Sequence, residues 1–227
     1  MKIAILAAMQ KELSLLLPLF EELREESVDG RRWFRGHFAG HELALMQCGI
    51  GKVNSALNTY RLIHAFGPDL VINSGVAGGC DVSMKIGSLF VAENVAYHDV
   101  WCGPGTEIGT ADGFDRFLAA DPRLVDTARR HLQGDNVRYG LICSGDSFIS
   151  KAEEVARIKS EFPAALACDM ESASIAQTCV DCGVPFGIVR VVSDTPGSGE
   201  NIEQYRNFWT EAPERTFSAV KTILENL

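Results

Sequence analysis

Runs of apolar residues alternate along the chain with segments whose apolar positions recur every three or four residues. The runs are rich in Val, Ile, Leu and Ala, as expected of strands that are covered on both faces of a sheet. They predict strands at 3–8, 43–48, 69–75, 88–96, 137–143, 164–169 and 186–192. The segments between them predict helices at 10–25, 52–66, 121–133, 151–161, 171–182 and 202–226. Such alternation indicates an α/β protein.

No internal repeat, low-complexity tract or linker interrupts this pattern, so we expect residues 1–227 to form one domain. The predicted architecture is a single-domain three-layer α/β/α sandwich with a central mixed, mainly parallel sheet. In such folds, ligand sites form just beyond the carboxyl ends of the strands. Candidate functional residues are therefore sought at those ends.

Composition narrows the range of partners. The chain has 30 acidic and 21 basic residues and a net charge of −9. Nucleic acids and anionic membranes are bound by clustered Lys and Arg, and no such cluster occurs, so we expect neither partner. The apolar run after Lys2 is too short for a signal peptide, and no run is long enough to span a bilayer. The seven cysteines are scattered among apolar residues, as in reduced intracellular proteins, so we expect a cytoplasmic protein.

Carboxylates follow three of the predicted strands: Glu12, Glu171 and Asp194. Each has a structural alternative. Glu12 and Glu171 stand at predicted helix starts, where the helix dipole favours acids, and Asp194 precedes a Thr-Pro-Gly turn. Their convergence beyond the ends of three buried strands favours an active site instead. For Asp169, two positions before Glu171, we expect a structural role.

The same loops carry glycines and apolar groups that suit a small, mostly uncharged ligand with a flat ring and a few hydroxyls. Two of them are "CGIGK" (48–52) and "NSGVAGG" (73–79), and neither matches a nucleotide phosphate loop or a dinucleotide fingerprint. The acids are not accompanied by His at ligand spacing, so no metal and no cofactor is predicted.

Several strings together resemble one known family. They are "ILAAMQKE", "CGIGKVNSA", "NSGVAGG", "YHDV", "SGDSFIS", "DMESASIA" and "VRVVSDTPG". Their order and approximate spacing are those of 5′-methylthioadenosine/S-adenosylhomocysteine nucleosidases, members of the nucleoside phosphorylase/hydrolase superfamily, and the resemblance covers nearly the whole chain. It implies hydrolysis of the N-glycosidic bond of 5′-methylthioadenosine and S-adenosylhomocysteine, which releases adenine and the 5′-thio-ribose. It also implies a homodimer in which a loop around 101–110 approaches the other subunit's pocket.

The resemblance assigns roles to the acids. Asp194 would donate a proton to N7 of adenine, with Ser193 orienting it. Glu12 would activate the attacking water as general base, and Glu171 would hold the ribose hydroxyls. Asp169 stands where the family is expected to have glutamate, so the charge is kept on a shorter side chain.

The resemblance also implies the residues that contact the substrate. Those around the sugar and the 5′-thio group are Met9, Ile50 and Met170, with Arg190 near the sugar and Tyr205 or Phe208 closing the 5′ side. Those around adenine are Phe148, which would stack on it, the Ile149 backbone, Ala77 and Gly78. A structural ion pair is the alternative for Arg190.

Three other functions stay open. A nucleoside phosphorylase must hold phosphate with arginines, but the first strand ends in "AAMQKE" and no arginine precedes Arg24, which favours hydrolysis. A futalosine or 6-amino-6-deoxyfutalosine hydrolase would need a wider pocket lined by 98–110 and 195–209. A nucleoside-binding protein without catalysis would bind such ligands and leave them intact.

Overall fold

The computed structural model describes residues 1–211 and 214–227, and the side chains of 1–209 and 217–227. Its strands are β1 (Lys2–Ala7), β2 (Glu21–Val28), β3 (Arg31–Phe38), β4 (His41–Gln47), β5 (Leu70–Gly79), β6 (Leu89–Tyr97), β7 (Leu118–Ala119), β8 (Val137–Ser144), β9 (Ala165–Asp169) and β10 (Phe186–Asp194). Its helices are α1 (Gln10–Leu16), α2 (Lys52–Phe66), α3 (Pro122–His131), α4 (Ala152–Glu161), α5 (Ser172–Asp181), α6 (Asn201–Glu211) and α7 (Glu214–Leu224).

The strands form one mixed sheet, part of which closes into a ring. Strands β5, β10, β6, β8 and β9 pair in that order, and β9 pairs back to β5. From β5 the sheet continues outward through β1, β4, β3 and β2. Parallel pairing of β1 with β4 and β5, and of β5 with β10, places four carboxyl ends at one edge. The end of β9 joins them, because Cys168 pairs with Gly78 at the end of β5.

Helices cover both faces of the sheet, as alternation along β1 illustrates. Ile3 and Ile5 are fully buried in a core that includes residues of α1, α3 and α7. Ala4 and Leu6 point to the opposite face, into a core that includes residues of α2 and α5. Because successive side chains of a strand point to opposite faces, an apolar run such as β1 can serve both cores at once. The predicted α/β fold with a central mixed sheet is confirmed.

All seven predicted strands are present, but the helix predicted over 10–25 is wrong beyond Leu16. Pro18 lies in a short 3-10 turn, Leu17–Leu19, and a proline cannot continue an α-helix because it lacks the N–H and its ring clashes with the preceding turn. The hairpin β2–β3 follows, which the apolar pattern did not predict because β2 is mostly exposed and rich in glutamate. Asp29 and Gly30 connect the two strands with positive φ angles of 48° and 72°. An Asp-Gly pair is the usual signal for such a two-residue hairpin loop.

The helices predicted over 52–66, 121–133, 151–161 and 171–182 correspond to α2, α3, α4 and α5. The helix predicted over 202–226 corresponds to α6 and α7, and residues 212–213 lie outside the described part, so its continuity stays a prediction. The short strand β7 was not predicted. Among the described residues, no helix combines the length and the apolar character that crossing a membrane requires.

Candidate active site

A cleft open to solvent lies beyond the strand ends, where small-molecule sites of α/β folds usually form. Twelve of the fourteen residues predicted from the sequence line it: Met9, Glu12, Ile50, Ala77, Gly78, Phe148, Ile149, Met170, Glu171, Ser193, Asp194 and Tyr205. They come from four loops, the ends of strands β5 and β10, and helices α1 and α6, so the topology of the sheet brings them together.

Glu12 lies in the first turn of α1 and is buried beside the end of β5. Its two carboxylate oxygens accept hydrogen bonds from the Met9 amide at 2.9 Å and the Val76 amide at 3.2 Å. Gly75 makes this approach possible, because a Cβ there would stand 2.7 Å from Glu12 Oε1. Burial raises the pKa of the Glu12 carboxyl, against the smaller lowering effects of the Met9 amide and the Arg190 charge. A carboxylate with a raised pKa is a better proton acceptor.

Glu171 stands between β9 and α5 and is also buried. Its Oε1 accepts a hydrogen bond from the Gly51 amide at 2.9 Å, which ties the end of β9 to the start of α2. Burial and, next, the nearby charge of Asp169 raise the pKa of Glu171 from 4.5 to about 8. A carboxyl with this pKa keeps its proton at neutral pH and is able both to donate and to accept hydrogen bonds.

Asp194 ends β10 and is 2% exposed. Its Oδ1 accepts a hydrogen bond from the Ser193 hydroxyl at 2.7 Å. Burial raises the pKa of Asp194, and hydrogen bonds from Ser193 and Asn201 act in the opposite direction. Asn201, the first residue of α6, also donates to the Ile149 carbonyl at 3.4 Å, so it joins two loops of the cleft.

Arg190 does not line the cleft, and it forms the structural ion pair that was the alternative to a place near the sugar. Its Nη2 lies 2.7 Å from Asp169 Oδ2 in an ion pair whose side chains are 2% and 3% exposed. The same guanidinium donates to the Asn73 carbonyl at 3.1 Å and to the Ser172 hydroxyl at 2.9 Å. Asp169 also accepts from the Ser144 hydroxyl at 2.5 Å. The structural interpretation of Asp169 therefore agrees with its contacts, although the residue also reaches the wall of the cleft.

Aromatic and thioether groups form the side of the cleft near α6. The Tyr205 hydroxyl donates to Met9 Sδ at 3.3 Å, and the Tyr205 ring meets Phe148 edge to face, with centroids 5.7 Å apart. Phe148 is 46% exposed, so its ring face is available to a ligand. Phe208 is buried and packs against Trp209, and it is not part of the lining. Of the two residues predicted to close this side, the structure brings only Tyr205 to the cleft.

Six further residues line the cleft that were not predicted to contact a ligand: Ala8, Val76, Ser147, Cys168, Asp169 and Pro196. All lie within two positions of a predicted residue, and all but Cys168 fall within the quoted strings, so the motifs themselves carried most of the signal. The described lining contains no lysine or arginine. The arrangement thus offers buried carboxyls for proton transfer beside an apolar slot, and it offers no cation to hold a phosphate.

Comparison with known proteins agrees with this chemistry. The sequence model of the phosphorylase superfamily matches residues 2–225. A 5′-methylthioadenosine/S-adenosylhomocysteine nucleosidase from Actinobacillus succinogenes is 38% identical, and the match covers all of this chain and all of that protein. The chain belongs to this nucleosidase family.

Solved structures of nucleosidases have the same fold. The S-adenosylhomocysteine nucleosidase from Streptococcus pyogenes, in complex with 5-methylthiotubericidin, superimposes with a TM-score of 0.95 at 37% identity and covers 100% of this chain and 97% of that one. The 5′-methylthioadenosine/S-adenosylhomocysteine nucleosidase from Streptococcus pneumoniae, with a transition-state inhibitor, has a TM-score of 0.96 at 33% identity and covers 100% and 99%. The resemblance inferred from the motifs is confirmed.

Proposed function

We propose that this nucleosidase hydrolyses the N-glycosidic bond of 5′-methylthioadenosine and of S-adenosylhomocysteine, releasing adenine and the 5′-thio-ribose. The observation that carries the proposal is the set of three buried carboxyls, Glu12, Glu171 and Asp194, around one cleft without a lysine or arginine in its described lining. The names of the relatives and the ligands of the solved structures support the same substrates.

Asp194 acts as the general acid. A carboxyl can protonate N7 of adenine only if it still carries a proton near neutral pH, and burial shifts the pKa of Asp194 in that direction. Protonation makes adenine a better leaving group, so the C1′–N9 bond breaks and the electron pair remains on adenine. Ser193, whose hydroxyl holds Oδ1, orients the carboxyl toward the base.

Glu12 acts as the general base. Bond cleavage gives the ribosyl group oxocarbenium character, and water attacks C1′ as it does in other glycoside hydrolyses. Glu12 removes one proton from that water, and the hydroxyl adds to C1′. The reaction consumes one water, and the proton taken by Glu12 replaces the one lost by Asp194 through exchange with solvent.

The remaining lining residues position the nucleoside. Glu171 binds the ribose hydroxyls, and the apolar side chains of Met9, Ile50 and Met170 surround the sugar and the 5′ sulfur. The exposed ring of Phe148 stacks on adenine, the Ile149 backbone binds its edge, and the small residues Ala77 and Gly78 let the base lie against β5. The buried Arg190 contributes indirectly, because it holds Asp169 beside Glu171.

Adenine release from 5′-methylthioadenosine, measured with and without phosphate, tests this proposal. We expect the same rate in both conditions and ribose with a free anomeric hydroxyl as the second product. If adenine release requires phosphate, the protein is a phosphorylase and Glu12 is not a general base for water. If the protein binds 5′-methylthioadenosine and releases no adenine, it is a nucleoside-binding protein without catalysis.

We further propose that residues 1–227 form a single nucleosidase domain that acts in the cytoplasm as a homodimer. Large apolar side chains exposed on one chain support the dimer, among them Val53, Leu57, Tyr60 and Trp101. Trp101 belongs to the loop around 101–110, which the family resemblance places at the partner's pocket. Light scattering of the protein as it elutes from a size-exclusion column should give twice the mass of one chain. The mass of a single chain would contradict the dimer.

A further inference from the structure

A lysine stands beside the cleft that the proposed chemistry does not use. Lys11 lies in the first turn of α1, and its Nζ is 3.7 Å from the centroid of the Trp209 ring and 4.9 Å from that of the Tyr205 ring. Tyr205 lines the cleft, and its hydroxyl contacts Met9 Sδ. The ammonium therefore lies next to the wall past which a 5′ substituent would leave the site.

Lys11 has no carboxylate partner among the described side chains. The adjacent acid, Glu12, turns inward, where its oxygens are occupied by the amides of Met9 and Val76. Burial lowers the pKa of Lys11, and the charge of the adjacent Glu12 acts in the opposite direction. The two ring faces hold the ammonium by cation–π attraction, which leaves its N–H donors free for another group.

The proposed substrates differ at this place. Methylthioadenosine ends in a methyl group on the 5′ sulfur, whereas S-adenosylhomocysteine continues from that sulfur through three carbons to an α-carboxylate. If the sugar is held between Glu171 and Met9 as proposed, this tail would pass Tyr205, whose ring Lys11 contacts. The lysine side chain is flexible and exposed, so it can meet a carboxylate at the mouth.

We propose that Lys11 binds the α-carboxylate of S-adenosylhomocysteine and thereby raises the efficiency of the enzyme on that substrate relative to methylthioadenosine. This inference rests on the proposed function, because it requires both compounds to be cleaved at the same site. Lys11 is a specificity-determining residue in this account and takes no part in the bond cleavage.

The test is the ratio of kcat/KM for S-adenosylhomocysteine to kcat/KM for methylthioadenosine. In Lys11→Met, which keeps an unbranched side chain but removes the charge, we expect the ratio to fall about fivefold, the size of a single partly exposed ion pair. Lys11→Arg should recover most of it. The matched control is Lys85→Met, an exposed lysine outside the cleft lining, which should leave the ratio unchanged.

Two further measurements separate the carboxylate from the rest of the tail. For the analogue of S-adenosylhomocysteine with hydrogen in place of the carboxylate, kcat/KM should be the same in Lys11→Met as in the wild-type enzyme. Added salt should lower the wild-type ratio and leave that of Lys11→Met unaltered, because salt screens exposed charges. An unchanged ratio in Lys11→Met, or an equal loss with the analogue, would overturn the inference. Failure of the wild-type enzyme to release adenine from either substrate would instead overturn the proposed function.

Discussion

Buried acids of two kinds, one paired with a cation and three unpaired, lie close together beyond the strand ends. At the wall of the cleft, Asp169 has a full counter-charge, because Arg190 binds it at 2.7 Å. In the cleft, Glu12, Glu171 and Asp194 have no lysine, arginine or histidine within salt-bridge distance among the described residues, and burial raises the pKa of each.

The difference shows how one type of residue takes opposite roles. A buried acid that binds a counter-ion holds the fold in place, whereas burial without a counter-ion raises the pKa of an acid and makes it better able to carry a proton. Asp169 and Glu171 are two positions apart, so sequence position alone does not decide between the roles. The presence or absence of a cationic partner decides between them. The predictions below test this contrast by removing a member of either group.

Asp194→Asn should have the largest effect on activity. The amide keeps the size of the side chain and can still accept from Ser193, but it cannot donate a proton as an acid does. We expect kcat/KM for methylthioadenosine to fall about a thousandfold, within the usual range for loss of a general acid. Adenine release measures it, and a thermal melt within a few degrees of wild type serves as the folding control. Retention of a tenth of the activity would be incompatible with the assigned role.

Asp169→Ala should affect stability instead. It leaves the Arg190 guanidinium buried without its counter-charge, which typically costs about 3–5 kcal/mol of unfolding free energy. Urea denaturation measures the loss. Asp169→Glu is the matched variant, since it restores the charge, and it should recover most of the stability. If Asp169→Ala is as stable as wild type, the ion pair does not have the structural role given to it.

Glu12→Gln should lose about a hundredfold in kcat with little loss of stability. The amide oxygen still accepts from one backbone N–H, and removing an uncompensated buried charge offsets the weaker hydrogen bonding. Because the base acts on water in the transition state, KM should change little. Steady-state kinetics and urea denaturation of the same preparation give both quantities. A variant that loses stability as Asp169→Ala does would erase the contrast between the two groups.

Glu171→Gln should change how stability depends on pH. Because the pKa of Glu171 is about 8 in the folded protein and near 4.5 otherwise, the folded chain binds the extra proton between these values. The contribution of Glu171 to the wild-type free energy of unfolding therefore falls by about 3–4 kcal/mol as pH rises from about 5 to 8, and this dependence is absent in Glu171→Gln. Urea denaturation at both pH values shows whether the two proteins diverge. Parallel behaviour would mean that Glu171 is ionised throughout.

The sequence predicted the site better than it predicted the surroundings of the site. Glu12, Glu171 and Asp194 follow apolar runs, and the sheet topology brings such ends together. By contrast, Asp169 and Arg190 are far apart along the chain, and nothing local indicates that they pair. Tyr205 and Phe208 are three positions apart in α6, and only the packing of that helix decides that the first lines the cleft while the second is buried.

The β2–β3 hairpin was missed for a related reason. Strand β2 has few apolar residues and is held mainly by its pairing with β3, so hydrophobic periodicity does not predict it. The closure of the sheet into a ring was not predicted either, since it depends on strands distant along the chain, such as β5 and β9. Local sequence patterns predict helices and strands, but they do not predict which distant strands or side chains pair, and only the three-dimensional structure shows those pairings.

The most direct test of the contrast is a titration of Asp194 itself. Carbon-13 NMR of aspartate-labelled enzyme, with Asp194→Asn used to assign the resonance, gives the pKa of its carboxyl in the folded protein. We expect a titration above the ordinary aspartate value of 3.8, because the side chain is buried without a counter-ion. A titration at or below 3.8 would mean that Asp194 is ionised at neutral pH, and it would contradict the proposal that burial keeps this acid protonated for catalysis.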